Sequence, residues 1–153
     1  MGQLIEIIRT DQVSVLDTDA AELLSALHDE SVPWLEFVFA ARSPADDDVV
    51  LVARHGDRPV GYIAASVGEP GSVEVWEHVV VPAQRNRGVG AALLVALAER
   101  VDPGSIIRID PAGHFDAERI ADYYGRLGFA HRAAHGDVWA TAAEVRRAVP
   151  SAP

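Results

Sequence analysis

Apolar residues recur along this chain in two rhythms, and the changes between them mark out its elements. The segment LIEIIRT, Leu4 to Thr10, alternates as a strand does, with successive side chains on opposite faces. Asp17 to His28 changes to helical spacing: Ala20, Leu23, Leu24 and Leu27 share one face behind an aspartate able to cap the first turn. A second apolar run, Val32 to Ala41, carries Trp34, Phe37 and Phe39 around Pro33 and predicts another short helix.

Strand-like runs then follow at Val49 to Ala53, Pro59 to Val67 and Val73 to Val81, separated by the turn signals HGD and GEPG. Such short turns imply antiparallel hairpins. Beyond Gly90 the period lengthens, with Ala91, Leu94, Val95 and Ala98 at helical spacing until Asp102-Pro103-Gly104 ends the pattern. Ser105 to Asp110 reads as a strand, Asp116 to Leu127 as a helix, and Phe129 to Ala133 and Asp137 to Thr141 as a last pair of strands. Hairpins feeding β-α-β-α predict a layered α/β (α+β) fold on a mixed, mostly antiparallel sheet. Residues 1–145 read as one domain, and the small, proline-rich end at 146–153 as a frayed tail.

Composition narrows the function without choosing it. A chain of 153 residues, 49% hydrophobic and 24% charged, fits one globular core. No apolar run approaches the roughly 18 residues that cross a bilayer, so no membrane is expected. MGQLIEIIRTDQ, with no basic n-region or long apolar stretch, does not read as a secretory leader. The absence of cysteine removes disulfides, zinc-thiolate sites and a cysteine nucleophile, and fits a cytoplasmic setting. A net charge of -10 argues against a nucleic-acid partner, which needs a basic face. The same charge would draw a cationic ligand, or serve only solubility.

The chemistry concentrates in VVVPAQRNRGVGAALL, where a strand ends at Pro82, a polar loop follows and a helix begins around Gly88 to Gly90. A helix start leaves N–H groups unpaired and carries partial positive charge, which suits a phosphate. Glycine at 88 and 90 would let a ligand approach the backbone, and Arg85 and Arg87 add positive charge in an acidic chain. A plain strand-to-helix turn would carry the same glycines. A dinucleotide site is a further reading, since Asp110 ends a strand about twenty residues beyond them. Against it, Leu93 stands where that fingerprint needs a third glycine, and residues 82–87 separate strand from glycines. The motif also lies mid-chain behind hairpins, leaving no room for two mononucleotide-binding halves.

Val80-Val81-Pro82 followed by Arg85-Asn86-Arg87-Gly88-Val89-Gly90 resembles the V-x-P and Q/R-x-x-G-x-G/A signature of the GNAT superfamily of acyl-CoA-dependent N-acetyltransferases. Tyr124-Gly125-Arg126-Leu127-Gly128-Phe129 resembles that family's second motif, a tyrosine four residues before Gly-Phe. The ordered pair covers roughly the second half of the chain, and the element order of the first half agrees. The resemblance implies helices on both faces of the sheet and a splayed strand pair holding acetyl-CoA, with no metal. It implies that Arg85, Asn86, Arg87, Gly88, Val89 and Gly90 hold the pyrophosphate, largely through backbone amides. It further implies that His78, Val79 and Val80 pair their backbone with the pantetheine and acetyl carbonyl beside a bulge, and that Tyr124 is the general acid. Where many members carry an asparagine before that tyrosine, contacting the cofactor, this chain has Asp116-Ala117-Glu118-Arg119 and no asparagine. The family often pairs through sheet edges or late strands, which makes a homodimer an expectation.

Direct transfer in a ternary complex needs an amine lone pair, and a phenol is adequately matched to protonate the departing thiolate. Backbone N–H groups would stabilise the developing oxyanion. Tyr124 could instead pack beside Tyr123, for which packing is the expectation. Glu74 leads the candidates for general base, ahead of Glu77, His78 and a water chain. A bulge would scramble the alternation that decides which of them faces the cleft. His114 could line the cleft or be an ordinary loop residue, and Trp34, Phe37 and Phe39 could wall the acceptor or fill the core. The expected activity is acetyl transfer to a primary amine, its acceptor open; an acyl-CoA-binding module without turnover and a nucleotide-dependent oxidoreductase are the rivals.

Overall fold

A computed structural model of the chain describes residues 5–9, 48–56, 58–68, 71–84, 87–110, 117–133 and 136–149. The helices expected at 17–28 and 32–41 lie outside the described residues, as do Trp34, Phe37, Phe39, Arg85, Asn86 and His114. The elements in chain order are β1 (Ile5–Arg9), β2 (Asp48–His55), β3 (Arg58–Val67), β4 (Ser72–Val80), a 3-10 turn (Pro82–Gln84), α1 (Val89–Glu99), β5 (Ile106–Ile109), α2 (Ala117–Arg126), β6 (His131–Arg132), β7 (Val138–Thr141) and α3 (Ala142–Ala148).

The strands form one mixed sheet in the order β1-β2-β3-β4-β5-β7-β6. β4 and β5 run parallel, joined by a crossover that contains α1, and the other described neighbours are antiparallel. Every described residue from Val50 to Ala53 and from Pro59 to Ala65 is buried, so both faces of the central strands are covered. On one face lies α1, whose Val89, Gly90, Leu93, Leu94, Leu97 and Ala98 are buried at three- and four-residue spacing. Among the described residues no helix is long and apolar enough to cross a membrane.

Two irregularities in β4 prepare the site. Its register with β3 slips between Ala64 and Ala65: Ala65 opposes Val75 and Ala64 opposes Glu77, leaving Trp76 as the extra residue of a bulge. Its ladder with β5 ends at the pair Val75–Ile109, although β4 continues to Val80. β5 itself ends at Ile109, so the ladder stops just before the bulge and β4 runs on beyond it without this neighbour. The bulge also decides a side chain's direction. His78 opposes Ile63, two residues from the partner of Val75, so His78 joins Val75 on the face covered by α1 and α2. Without the inserted residue, alternation would carry His78 to the opposite face.

One element was absent from the sequence reading. α3 begins at Thr141, whose hydroxyl accepts the Glu144 N–H at 3.2 Å while the Glu144 carboxylate accepts the Thr141 N–H at 3.0 Å. This reciprocal capping box satisfies two donors at once and starts a helix of seven residues where no amphipathic period is long enough to announce one. Ala142 and Val145 are buried, and α3 packs against α1. The same carboxylate accepts from His131 Nε2 at 3.0 Å, and the His131 ring stacks on Trp139 with centroids 4.0 Å apart, fastening β6 and β7 to the start of α3.

Candidate active site

Among the described residues no side chain caps the start of α1. Gly88 occupies the N-cap with φ 84°, provides no side-chain cap, and no acidic residue lies in the first turn. Ala92 N–H closes the first α-helical bond on the Gly88 carbonyl at 2.9 Å, so the amides before it precede the hydrogen-bond ladder. An exposed Arg87 stands beside this end, and Val89 is buried, so any contact Val89 makes with a ligand there comes from its backbone. A built Cβ on Gly88 meets nothing within 4 Å.

Gly90 differs from Gly88. A Cβ there would lie 2.7 Å from the Tyr123 hydroxyl oxygen and 3.4 Å from His78 Nε2. The missing side chain makes room for two residues of the protein itself, Tyr123 and His78. Tyr123, expected only to pack, is 38% exposed, and burial of the rest of the ring raises its phenol above the usual value.

Tyr124 is placed by the end of α2. Gly128 takes φ 102°, Phe129 N–H bonds the Tyr124 carbonyl at 3.0 Å, and Gly128 N–H bonds that of Gly125 at 3.3 Å. This is a Schellman cap, in which the residue after the left-handed glycine also packs on the residue that accepts its amide. The Phe129 ring meets Tyr124 edge-on at 5.6 Å. The interval from tyrosine to Gly-Phe is thus the length of the cap, and it fixes Tyr124 one turn from the helix end. A Cβ on Gly128 would also lie 2.9 Å from the Glu144 carbonyl oxygen, so α3 presses on the same cap.

Between these two helix ends lies His78. Its Nε2 is 2.8 Å from the Gly90 carbonyl oxygen, and its Nδ1 is 2.8 Å from the Tyr124 hydroxyl. A carbonyl can only accept, so Nε2 carries the hydrogen; in a neutral ring Nδ1 then accepts, and the Tyr124 hydroxyl donates to it. Burial disfavours the charged ring and lowers the His78 pKa to about 4, against a smaller opposing effect of the Gly90 bond. The ring is therefore neutral near pH 7. A base with so low a pKa is a poor acceptor for an ammonium proton.

The backbone of β4 completes the geometry. Val81 N–H bonds the Val60 carbonyl at 2.9 Å, and the alternation of an antiparallel ladder then turns Val79 toward β3 and the N–H and C=O of His78 toward the side where β5 has ended. Glu74 lies before the bulge, exposed, opposite Arg108 of β5 in register and on the face away from His78. Glu77 pairs with Ala64 immediately beyond it. Asp110 is exposed at the end of β5.

The arrangement brings together the helix start with Arg87, Gly88, Val89 and Gly90, the part of β4 beyond its ladder with β5 at His78, and Tyr124. Glu74 stands apart on the other face. The side-chain role of His78 was beyond the sequence reading, because its partners lie 12 and 46 residues away.

A family model described as the acetyltransferase (GNAT) domain matches residues 46–131, which include all of these positions. No curated protein matches the sequence. Among solved structures, YhhK of E. coli, assigned as an N-acetyl transferase and bound to coenzyme A, is 21% identical with a TM-score of 0.70, over 90% of this chain and 98% of that one. A protein from Desulfovibrio desulfuricans assigned to the GNAT acetyltransferases is 20% identical, TM-score 0.69, over 89% and 95%. An aminoglycoside 6'-N-acetyltransferase complexed with coenzyme A is 20% identical, TM-score 0.60, over 89% and 94%. At these identities the likeness to the solved structures is one of fold.

Proposed function

The chain belongs to the GNAT acetyltransferase family, and on that premise we propose that it transfers the acetyl group of acetyl-CoA directly to a primary amine within a ternary complex. The observation that carries the reading is convergence: the start of α1, the part of β4 beyond its ladder with β5 and a buried phenol meet at His78. The CoA complexes of two proteins of the same fold support the choice of donor.

In this reading the pyrophosphate sits against the amides of Arg85 to Gly90, with Arg85 and Arg87 adding charge. The backbone of His78 meets the pantetheine in the gap left by β5, flanked by Val79 and Val80. The amine attacks the thioester carbonyl, the C–S bond breaks, and the Tyr124 hydroxyl gives its proton to the departing thiolate. No covalent acetyl-enzyme is needed, in keeping with a chain that has no cysteine. Glu74 is the proposed base; standing on the face away from the tyrosine, it would take the amine proton from the opposite side of the sheet to the acid. The acceptor is a small-molecule or peptide amine, and a net charge of -10 favours a cationic one.

Initial rates measured while acetyl-CoA and amine are varied together test the ternary complex. Intersecting double-reciprocal lines are expected, whereas parallel lines would mean a covalent intermediate and contradict direct transfer. Thermal shifts with CoA and with NAD test the donor. Protection by CoA alone is expected, and protection by NAD instead would return the site to the dinucleotide reading.

A further inference from the structure

We propose that His78 is a positioning residue for the acid, a brace that ties the Tyr124 hydroxyl to the first turn of the helix that receives the pyrophosphate. The inference rests on the reading of Tyr124 as the acid. It goes beyond that reading by giving the imidazole ring, as distinct from the strand backbone at residue 78, a task of its own.

The geometry leaves the ring one way to serve both neighbours. Its single hydrogen is held on Nε2 by the Gly90 carbonyl, so Nδ1 presents a lone pair, and the only hydrogen Tyr124 can offer goes to it. Turning the ring over would bring carbon atoms to both positions and lose both bonds. Because α1 and α2 are separate elements joined through β5, nothing in the local chain sets the distance from the helix start to the phenol. The histidine on the intervening strand spans it in two contacts of 2.8 Å. The bulge at Trp76 brings that histidine to the face where both helices lie.

One consequence concerns the proton itself. In this arrangement the Tyr124 hydrogen points to His78. Delivery to a thiolate requires the O–H to turn about the Cζ–Oη bond while the oxygen stays in place. The transfer breaks the phenolic O–H bond and forms the thiol S–H bond, and the phenolate regains a proton from water, which takes up the proton that Glu74 removed from the attacking amine. His78 gains no proton at any step. It keeps the oxygen where the leaving group will form, and misplacement of about 1 Å at such a point is enough to slow a reaction markedly.

The test separates the two contacts. In His78→Asn the side-chain oxygen sits near the place of Nδ1 and can still accept from Tyr124. In His78→Gln the amide reaches toward the Gly90 carbonyl but leaves Tyr124 without its acceptor. Each is assayed with acetyl-CoA against spermidine, kanamycin and a lysine-containing peptide, alongside His78→Ala and Tyr124→Phe. His78→Ala is expected to lower kcat about tenfold with the KM for acetyl-CoA nearly unchanged, and His78→Asn to recover more of the rate than His78→Gln. In a Tyr124→Phe background, His78→Ala should have no further effect on kcat, because the brace then has nothing to hold. Wild-type kcat in His78→Ala, or an undiminished loss in the Tyr124→Phe background, would overturn the proposal. A wild-type protein that turns over none of the amines would instead count against the acetyltransferase reading. Nitrogen-15 histidine NMR then decides the brace without catalysis. A single Nε2–H tautomer whose Nδ1 resonance moves in Tyr124→Phe is expected, and mixed tautomers or an unmoved resonance would refute it.

Discussion

Gly88 and Gly90 stand two residues apart in one loop, yet they should resist alanine for different reasons, and a hydroxyl deleted elsewhere should tell them apart. Gly88 has φ 84° and open space around a built Cβ, so Gly88→Ala meets only the left-handed backbone penalty, about 1–2 kcal/mol. Gly90 lacks the positive φ and lies within the first turn of α1, where alanine would favour the helix by up to about 1 kcal/mol. Its obstacle is steric: the new Cβ would sit 2.7 Å from the Tyr123 oxygen, against ordinary contact from 3.4 Å. The hydroxyl must therefore retreat by about 0.7 Å, an overpacking that costs about 1–3 kcal/mol. Tyr123 is 38% exposed and can give some way, which puts the net loss for Gly90→Ala near 1 kcal/mol. Tyr123→Phe removes the obstructing atom. Urea unfolding followed by far-UV circular dichroism, on the four proteins of a Gly90→Ala and Tyr123→Phe cycle, should give a favourable coupling of about 1 kcal/mol. The corresponding cycle with Gly88→Ala should show none. Additivity within about 0.3 kcal/mol in the Gly90 cycle would refute the steric account, as would equal rescue of both alanines. The family signature allows alanine at the final position, so the requirement for glycine here traces to Tyr123 rather than to the ligand.

Three further outcomes follow from the same geometry. His78 has its pKa lowered to about 4 in the folded protein, facing the Tyr124 hydroxyl of α2 and the Gly90 carbonyl of α1 with Tyr123 alongside. Its unfolded form takes a proton below about pH 6.5 while the folded form stays neutral, so stability falls as pH drops from there toward 4, by ~3 kcal/mol in all. Denaturation at pH 7 and 4.5 should show a smaller loss for His78→Asn than for the natural protein; equal losses would contradict the assignment. Thr141→Ala removes the capping box and should cost about 1 kcal/mol by urea unfolding, with an unchanged midpoint contradicting the role of the cap. Arg87→Ala should raise the KM for acetyl-CoA several-fold and leave kcat near its natural value, since it removes charge from the proposed pyrophosphate loop and none from the reacting atoms; a fall in kcat alone would contradict that proposal.

Much of the sheet was legible because its strands keep a strict pattern. Val73, Glu74 and Val75 alternate buried, exposed, buried, as alternation requires; α1 forms where helical spacing predicts a helix, but beside Leu94 and Ala98 it buries Leu93 and Leu97, while Ala91 and Val95 of the expected face are only partly buried. Alternation failed where it had to, at Trp76, because an inserted residue reverses the faces beyond it and no local pattern announces it. α3 is a different omission. Thr141-Ala142-Ala143-Glu144 is a capping box readable in the sequence, but seven residues with two buried positions are too few for periodicity to register. At the site, the glycines of the loop and the spacing from Tyr124 to Gly128-Phe129 were visible as motifs, and each has a local cause in a helix end. The bonds of His78 were not visible, because they join a strand to two helix ends 12 and 46 residues further on. The same holds for Tyr123, whose hydroxyl lies over Gly90 only once α1 and α2 are packed on the same face.

Thiol release from acetyl-CoA bears most directly on the central claim. The protein is incubated with acetyl-CoA and, in turn, a polyamine, an aminoglycoside and a lysine-containing peptide, with free CoA followed by a thiol reagent and the amine by mass spectrometry. The account predicts amine-dependent thiol release with one acetyl group gained by the amine for each CoA freed, and a rate lowered about a hundredfold in Tyr124→Phe. Tight binding of CoA with no thiol released in the presence of any amine would contradict it.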